Sequence, residues 1–222
     1  MPKSTFQNLD NSKRKQITEA FLREFAIKTF DEASITVVVK QLGIAKGSIY
    51  QYFKDKLDLY MYLIQECSIV KMSYVQSIKR EDHPDFWAYF RNLYAAGYEF
   101  DAQNPLQSHF LHNLIQNLNS PSVKPLFDQM MGQTIAGFET LVAKEIELGL
   151  FRSDVPVKTM AFMLYKVGVG IQEYLEHTKI IEPKQSIYKN QPVYQNKKDF
   201  LLATVDEFIS LIKPTFNKSP LI

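Results

Sequence analysis

At 222 residues, with 45% hydrophobic and 23% charged side chains, the chain can build one large or two small packed domains and is too apolar for intrinsic disorder. A single cysteine excludes an intrachain disulfide framework and agrees with a reducing cytoplasm, the expected location. The net charge of +2 does not itself point to nucleic acid, yet the basic excess is confined to one end: residues 1–60 hold ten Lys/Arg against seven Asp/Glu, the rest sixteen against seventeen.

The opening stretch is polar, so no secretory h-region is expected, and no run approaches a membrane-spanning helix. Residues 1–12 read as a loose arm carrying Lys3, with Lys13, Arg14 and Lys15 beside the first helix. That helix is expected over 11–28, with Ile17, Ala20, Phe21 and Phe25 as its apolar stripe. Ser34 is a good N-cap for the next one, because its hydroxyl can accept from a free first-turn N–H. Val38, Val39 and Leu42 recur at helical spacing, and Gly43 falls where the residue past a helix end takes positive φ. Ile44 fills the corner. A second short helix follows over 46–53, with Ile49 and Phe53 sharing its buried face. Lys46, Ser48, Tyr50 and Tyr52 are then left on or beside the open face. Val37-Val38-Val39 alone would pass for a strand, but helix, glycine turn, helix is the helix-turn-helix pattern. A short helix showing lysine, hydroxyls and tyrosines outward suits a major groove edged by phosphates.

These residues resemble the N-terminal DNA-binding domain of the TetR/AcrR family of bacterial regulators. The family's run of glycine, small apolar residue, glycine, apolar residue, tyrosine, His or Tyr, Phe and Lys is similar to Gly43, Ile44, Gly47, Ile49, Tyr50, Tyr52, Phe53 and Lys56. Phe21, Phe25, Ala26 and Phe30 lie upstream, and the resemblance covers roughly the first quarter of the chain. Three positions depart from it: Thr29 replaces a glycine, Val39 a small alanine, and Ala45 the Ser/Thr cap of the recognition helix. The missing cap should cost that helix about 1 kcal/mol. The resemblance implies contact with double-stranded DNA through Thr36, Lys46, Gly47, Ser48, Tyr50, Gln51, Tyr52 and Lys56, the last on a phosphate.

Beyond this point Asp55 caps a long helix over 57–78, whose stripe runs through Leu57, Tyr60, Leu63, Cys67, Val70, Tyr74 and Ile78. It is suited to carrying a displacement from body to head, and Cys67 reads as a small buried hydrophobe. An aromatic helix follows from Asp82 or Asp85 to about Gln103, stopped by Pro105, and then a shorter one over 107–118. Ser120-Pro121 reads as N-cap and N1 of a helix that runs to Gly149, a C′ glycine. The next helix spans 154–177. Between Met160 and Ile171 its only charge is Lys166, so it needs cover on every side. Gly168 and Gly170 would allow a close approach. A closing helix is expected over 197–212. The roughly twenty residues between these two, 178–196, exceed a usual bundle loop and read as either an arm to a partner subunit or a floppy insertion.

Between 102 and 138 the only charges are Lys124 and Asp128. Trp87, Phe90, Tyr94, Tyr98, Phe110, Phe127, Met130, Met131 and Phe138 therefore stand as candidate lining of an adaptable apolar pocket. His109, His112, Asn113 and Gln116 are candidates to orient a ligand there, although most of these residues would serve equally as plain core. His109 and His112 are three apart, but no metal-ligand constellation accompanies them. No nucleophile elbow, phosphate-binding loop or zinc-protease motif occurs, so neither a catalytic function nor a cofactor is expected.

The expectation is an all-α protein in two parts. Residues 1–56 form a three-helix helix-turn-helix domain, and 57–222 a larger helical effector-binding and dimerisation domain. As the family implies, two copies would pair through the helices around 156–177 and 197–212. The expected function is a dimeric transcriptional repressor, released from a palindromic operator by a small, mostly uncharged or lipophilic effector. The alternative is a ligand-independent architectural DNA-binding dimer.

Overall fold

A computed structural model describes residues 2–117 and 120–218, with the side chains of Ile115 and Gln116 outside that description. Among the described residues all regular structure is helical apart from an isolated bridge between Phe151 and Asn217. The helices are α1 (Ser4–Gln7), α2 (Asn11–Ile27), α3 (Ile35–Gln41), α4 (Lys46–Tyr52), α5 (Lys56–Val75), α6 (Phe86–Gln103), α7 (Pro105–Asn113), α8 (Lys124–Glu147), α9 (Val157–His177), α10 (Pro183–Tyr188) and α11 (Lys198–Phe216). Short 3-10 turns lie at Arg80–Asp82 and Leu114–Asn117. No described helix is long and apolar enough to cross a membrane.

The chain divides into two compact units. The first holds residues 1–74, 99–124 and 183–193. Its centre is aromatic. Phe21, Phe25 and Phe30 come from α2 and the loop after it, Tyr60 from α5 and Phe110 from α7, all under a tenth exposed. The Tyr60 ring meets those of Phe25, Phe30 and Phe110 at 4.9, 5.1 and 5.5 Å. Cys67, on the same stripe of α5, is buried, and burial pushes its thiol up to about 12, which removes the thiolate needed for reaction.

The turn after α7 grips the end of α2 within this unit. Asn113 Nδ2 donates to the carbonyls of Phe25 and Lys28 at 2.9 and 3.0 Å, and Asn117 Oδ1 accepts from the Phe30 N–H at 2.6 Å. Ser120 and Ser122 each donate a hydroxyl to the Asp31 carboxylate at 2.6 Å. This engagement explains why Ser120 does not cap α8. Its hydroxyl is spent on Asp31, the chain makes a further turn, and α8 begins only at Lys124. Leu118 and Asn119, in the helix end expected over 107–118, lie outside the described residues. Pro105 likewise opens α7 as its first residue rather than only stopping α6.

The stretch over 183–193 is neither floppy nor extended. It contains α10, packs on α7 and α2, and buries Ile187 and Val193. Three polar contacts hold it: Arg23 Nη1 to Asn190 Oδ1 at 2.9 Å, the Val193 N–H to Asp101 Oδ1 at 2.9 Å, and His109 Nε2 to the Gln191 carbonyl at 2.8 Å.

The second unit holds residues 75–98, 125–182 and 194–222. Here Phe86 and Trp87 from α6 pack with Phe151 and with Phe216 of α11, at ring separations of 5.2 to 5.6 Å. Trp87 Nε1 donates to Asn217 Oδ1 at 2.8 Å. Gly149 ends α8 at φ +71, and its turn returns the N–H groups of Leu150 and Phe151 to the Glu145 carbonyl. α9 and α11 pack together, but not because glycine forces them close. A methyl at Gly168 would stand 3.5 Å from Tyr94 Oη, and one at Gly170 would stand 3.7 Å from the Phe208 ring, both ordinary contacts.

Candidate functional site

The helix-turn-helix is built as its residues dictate. Asp10 caps α2 by accepting from the Lys13 N–H at 2.9 Å, and Ser34 caps α3 by accepting from Val37. Gly43, at φ +66, turns the chain between α3 and α4, with the Ile44 N–H returned to the Val39 carbonyl at 3.1 Å. Val38, Val39, Ile49 and Phe53 are buried beneath the two helices. Ala45 supplies no side-chain cap to α4. Asp55 Oδ1 accepts from the Asp58 N–H at 2.8 Å at the start of α5.

Of the expected DNA-facing residues, Thr36, Lys46, Gly47, Tyr50 and Gln51 are exposed, and Ser48 is half-buried. Tyr50 keeps 43% of its surface open. A Cβ at Gly47 would meet nothing within 4 Å, so the open face of α4 is unobstructed there. Tyr52 is turned inward instead. It is 8% exposed, with its ring 5.6 Å from that of Phe6. The physical reason is its register: Tyr52 lies three residues after Ile49, on the buried side of the helix. Lys56 is half-buried, its Nζ 4.7 Å from the Phe30 ring centroid, and burial lowers its pKa against the opposing pull of Asp31 and Glu24.

Residues 2–12 are not the loose arm expected over 1–12. Phe6 is 1% exposed among the rings of Tyr52, Phe53 and Tyr62, and α1 packs on α4. A single phenylalanine in a polar stretch was the only signal available.

The candidate effector residues are divided between the two units. His109, Phe110 and Asn113 belong to the first unit, and Trp87, Phe90, Tyr94, Tyr98, Phe127, Met130, Met131 and Phe138 to the second. Phe110 is core, and Asn113 is committed to two backbone carbonyls. His109 is committed to the Gln191 carbonyl, and the Gln116 side chain lies outside the described residues. In the second unit Trp87, Phe90 and Phe127 are buried, whereas Tyr94, Tyr98, Met130, Met131 and Phe138 keep accessible surface. From Arg91 to Tyr98 on α6, and from Asp128 to Leu141 on α8, no described residue is fully buried. A Cβ at Gly97, Gly132 or Gly137 would meet nothing within 4 Å. Burial raises the Tyr94 hydroxyl above its ordinary value of 10.0, which keeps it a neutral donor.

The commitment of His109 has a pH consequence. Burial holds its imidazole below the ordinary value of 6.5, opposed by the Gln191 carbonyl and by Asp101. The unfolded chain therefore binds more protons below pH 6.5, so stability falls as pH drops from there through the lower folded value. The urea midpoint of the wild type should fall between about pH 7 and pH 5 more steeply than that of His109→Gln, which keeps a donor but cannot titrate.

A sequence profile for bacterial regulatory proteins of the tetR family matches residues 17–63, the span from α2 into α5. An HTH-type transcriptional regulator of Staphylococcus aureus strain USA300 is 36% identical over 70 residues, which cover 29% of this chain and 38% of that relative. A TetR family transcriptional regulator from Chloroflexus aurantiacus J-10-FL superposes with a TM-score of 0.76 at 26% identity, over 99% of this chain and 100% of that one. The SmeT structure, solved as a complex with triclosan, superposes at 0.61 with 14% identity over 96% and 100% of the two chains, a likeness of fold alone. The profile falls on the helix-turn-helix, and the fold of the Chloroflexus regulator extends over both units. Residues 17–63 are thus similar to the DNA-binding domain of the tetR family of bacterial regulatory proteins, and the chain as a whole is similar to the TetR family regulator from Chloroflexus aurantiacus.

Proposed function

We propose that the protein is a dimeric repressor that binds a palindromic operator and is released by a small, mostly uncharged or lipophilic effector. The observation that carries the DNA-binding part is α4: a short helix on a helix-turn-helix frame, with Lys46, Gly47, Tyr50 and Gln51 open to solvent. Thr36 at the start of α3 and half-buried Ser48 complete the contact surface, and Lys56 takes a phosphate at its edge. Residues 1–56 act as the DNA-reading part and 57–222 as the effector-binding and dimerising part.

Dimerisation through α9 and α11 is supported by apolar side chains left open on them. Met163 is 51% exposed, Phe200 55% and Leu211 74%, beside Phe162 and Tyr174. Large apolar side chains left open on two packed helices are what an association site uses. The effector part is supported by apolar and aromatic side chains of α6 and α8 in the second unit that are not sealed in a core: Tyr94, Tyr98, Met130, Met131 and Phe138 keep accessible surface. The triclosan bound by SmeT is a ligand of this lipophilic kind. The effector must prefer one state of the dimer, because equal affinity for both shifts nothing.

Footprinting on DNA upstream of the protein's own gene tests this reading. A two-fold symmetric protected region is expected, with half-site centres about one helical turn (roughly 34–36 Å) apart. Added lipophilic compounds that raise the melting temperature should erase the footprint. Continuous, sequence-indifferent coverage with a steep salt dependence would instead favour an architectural binder.

A further inference from the structure

The last turn of α4 is closed by residues from far outside it. A helix leaves its last four carbonyls without intrahelical donors. In α4 the Ile49 carbonyl takes the Phe53 N–H at 2.8 Å, and the Tyr52 carbonyl takes the Lys3 N–H at 2.8 Å. The Tyr50 carbonyl takes Lys3 Nζ at 2.7 Å, and the Gln51 carbonyl takes the Thr5 hydroxyl. All four are thereby satisfied, three of them by the N-terminal segment. Phe6 anchors that segment with ring centroids 5.6 Å from Tyr52, 4.8 Å from Phe53 and 5.5 Å from Tyr62.

Nothing within α4 does this work. The helix has 7 residues, no side-chain N-cap and no basic residue in its last turn. A helix so short is marginal alone, and a cation at its C-terminal carbonyls also complements its dipole. The two carbonyls gripped by side chains, Tyr50 and Gln51, belong to residues whose own side chains are exposed.

We propose that Lys3, Thr5 and Phe6 are positioning residues for the recognition helix, a C-cap supplied from the start of the chain that fixes how Tyr50 and Gln51 are presented to DNA. The proposal rests on the DNA-binding reading above. Lys3 and Thr5 act through the α4 backbone and touch no base or phosphate.

The test uses the full chain with Lys3→Met and Thr5→Val, singly and together. Phe6→Ala is avoided because it opens the core beneath. The first readout is amide exchange in the DNA-free protein. Exchange over 49–53 should speed up relative to α2, while the melting temperature changes little. The second readout is the affinity for duplexes tiling the upstream DNA, against scrambled competitor, at several salt concentrations. The double variant should lose about tenfold in specific affinity with its salt slope unchanged. Lys3→Arg, which keeps the donor, should restore most of the loss. Unchanged α4 exchange overturns the clamp, and faster exchange with undiminished discrimination overturns its positioning role. A salt slope reduced by about one in Lys3→Met would make Lys3 a direct phosphate contact and overturn the proposal as well. Wild-type protein that fails to discriminate its upstream DNA contradicts the DNA-binding reading itself, and the exchange readout still decides the clamp.

Discussion

Replacing Glu145 by alanine should destabilise the protein by about 3–5 kcal/mol, read as a lower urea midpoint. Glu145 is one of the few charged groups sealed in the second unit, its side chain 1% exposed and its partner Arg80 10% exposed. The pair is bidentate: Arg80 Nε lies 2.5 Å from Oε1 and Nη2 2.9 Å from Oε2, while Nη1 donates to the His83 carbonyl at 3.0 Å. Such a pair need not add net stability, because desolvating two ions costs about what their attraction returns. Removing one partner is different, since it leaves without its carboxylate a guanidinium that keeps only 10% of its side-chain surface open to water. The double variant Arg80→Met/Glu145→Leu should therefore recover most of the loss of Glu145→Ala. If the single and double variants were equally damaged, the cost would lie in packing and not in the stranded charge.

Tyr60→Ala is the second large loss, about 3–5 kcal/mol, because it empties the centre of the aromatic cluster in the first unit. Tyr60 is 1% exposed, and its ring meets those of Phe25, Phe30 and Phe110. Tyr60→Phe keeps every ring contact and should cost about 1 kcal/mol or less. The comparison separates ring packing from the hydroxyl. It also bears on function, since the same cluster supports the end of α2 against which the helix-turn-helix is built. A loss of equal size in Tyr60→Phe would assign the effect to the hydroxyl instead.

The helix-turn-helix was legible in the sequence because its signals are local. Ser34 caps α3, Gly43 adopts positive φ, and Ile49 and Phe53 share one buried face, each within a few residues of its partner. Tyr52 was the exception that the same periodicity could have caught, because a residue three after Ile49 shares its face. The features that escaped depend on pairings distant in the chain. Phe6 with Tyr62, Asn117 with Phe30, and Asp101 with Val193 leave no periodic trace. The 178–196 stretch looked like surplus loop because its two buried residues of the first unit, Ile187 and Val193, are isolated among polar neighbours.

The candidate effector residues were the least legible part. Aromatic and methionine side chains at helical spacing look alike whether they fill a core or line a void. Trp87 and Phe127 proved to be core, while Tyr98 and Met131 retain accessible surface. Only the distant partner of each, such as Asn217 for the Trp87 N–H, decides which it is.

The central claim, that the exposed face of α4 reads a specific DNA sequence, is tested most directly by fluorescence anisotropy. Labelled duplex from the region upstream of the protein's own gene is titrated at two salt concentrations against scrambled competitor, with wild type and Lys46→Ala/Tyr50→Ala compared. Wild-type binding should survive the competitor, and the double variant should be at least about tenfold weaker with its fold intact, since each lost contact is worth roughly 1–3 kcal/mol. Equal binding of own and scrambled DNA, or a double variant as tight as wild type, would contradict it.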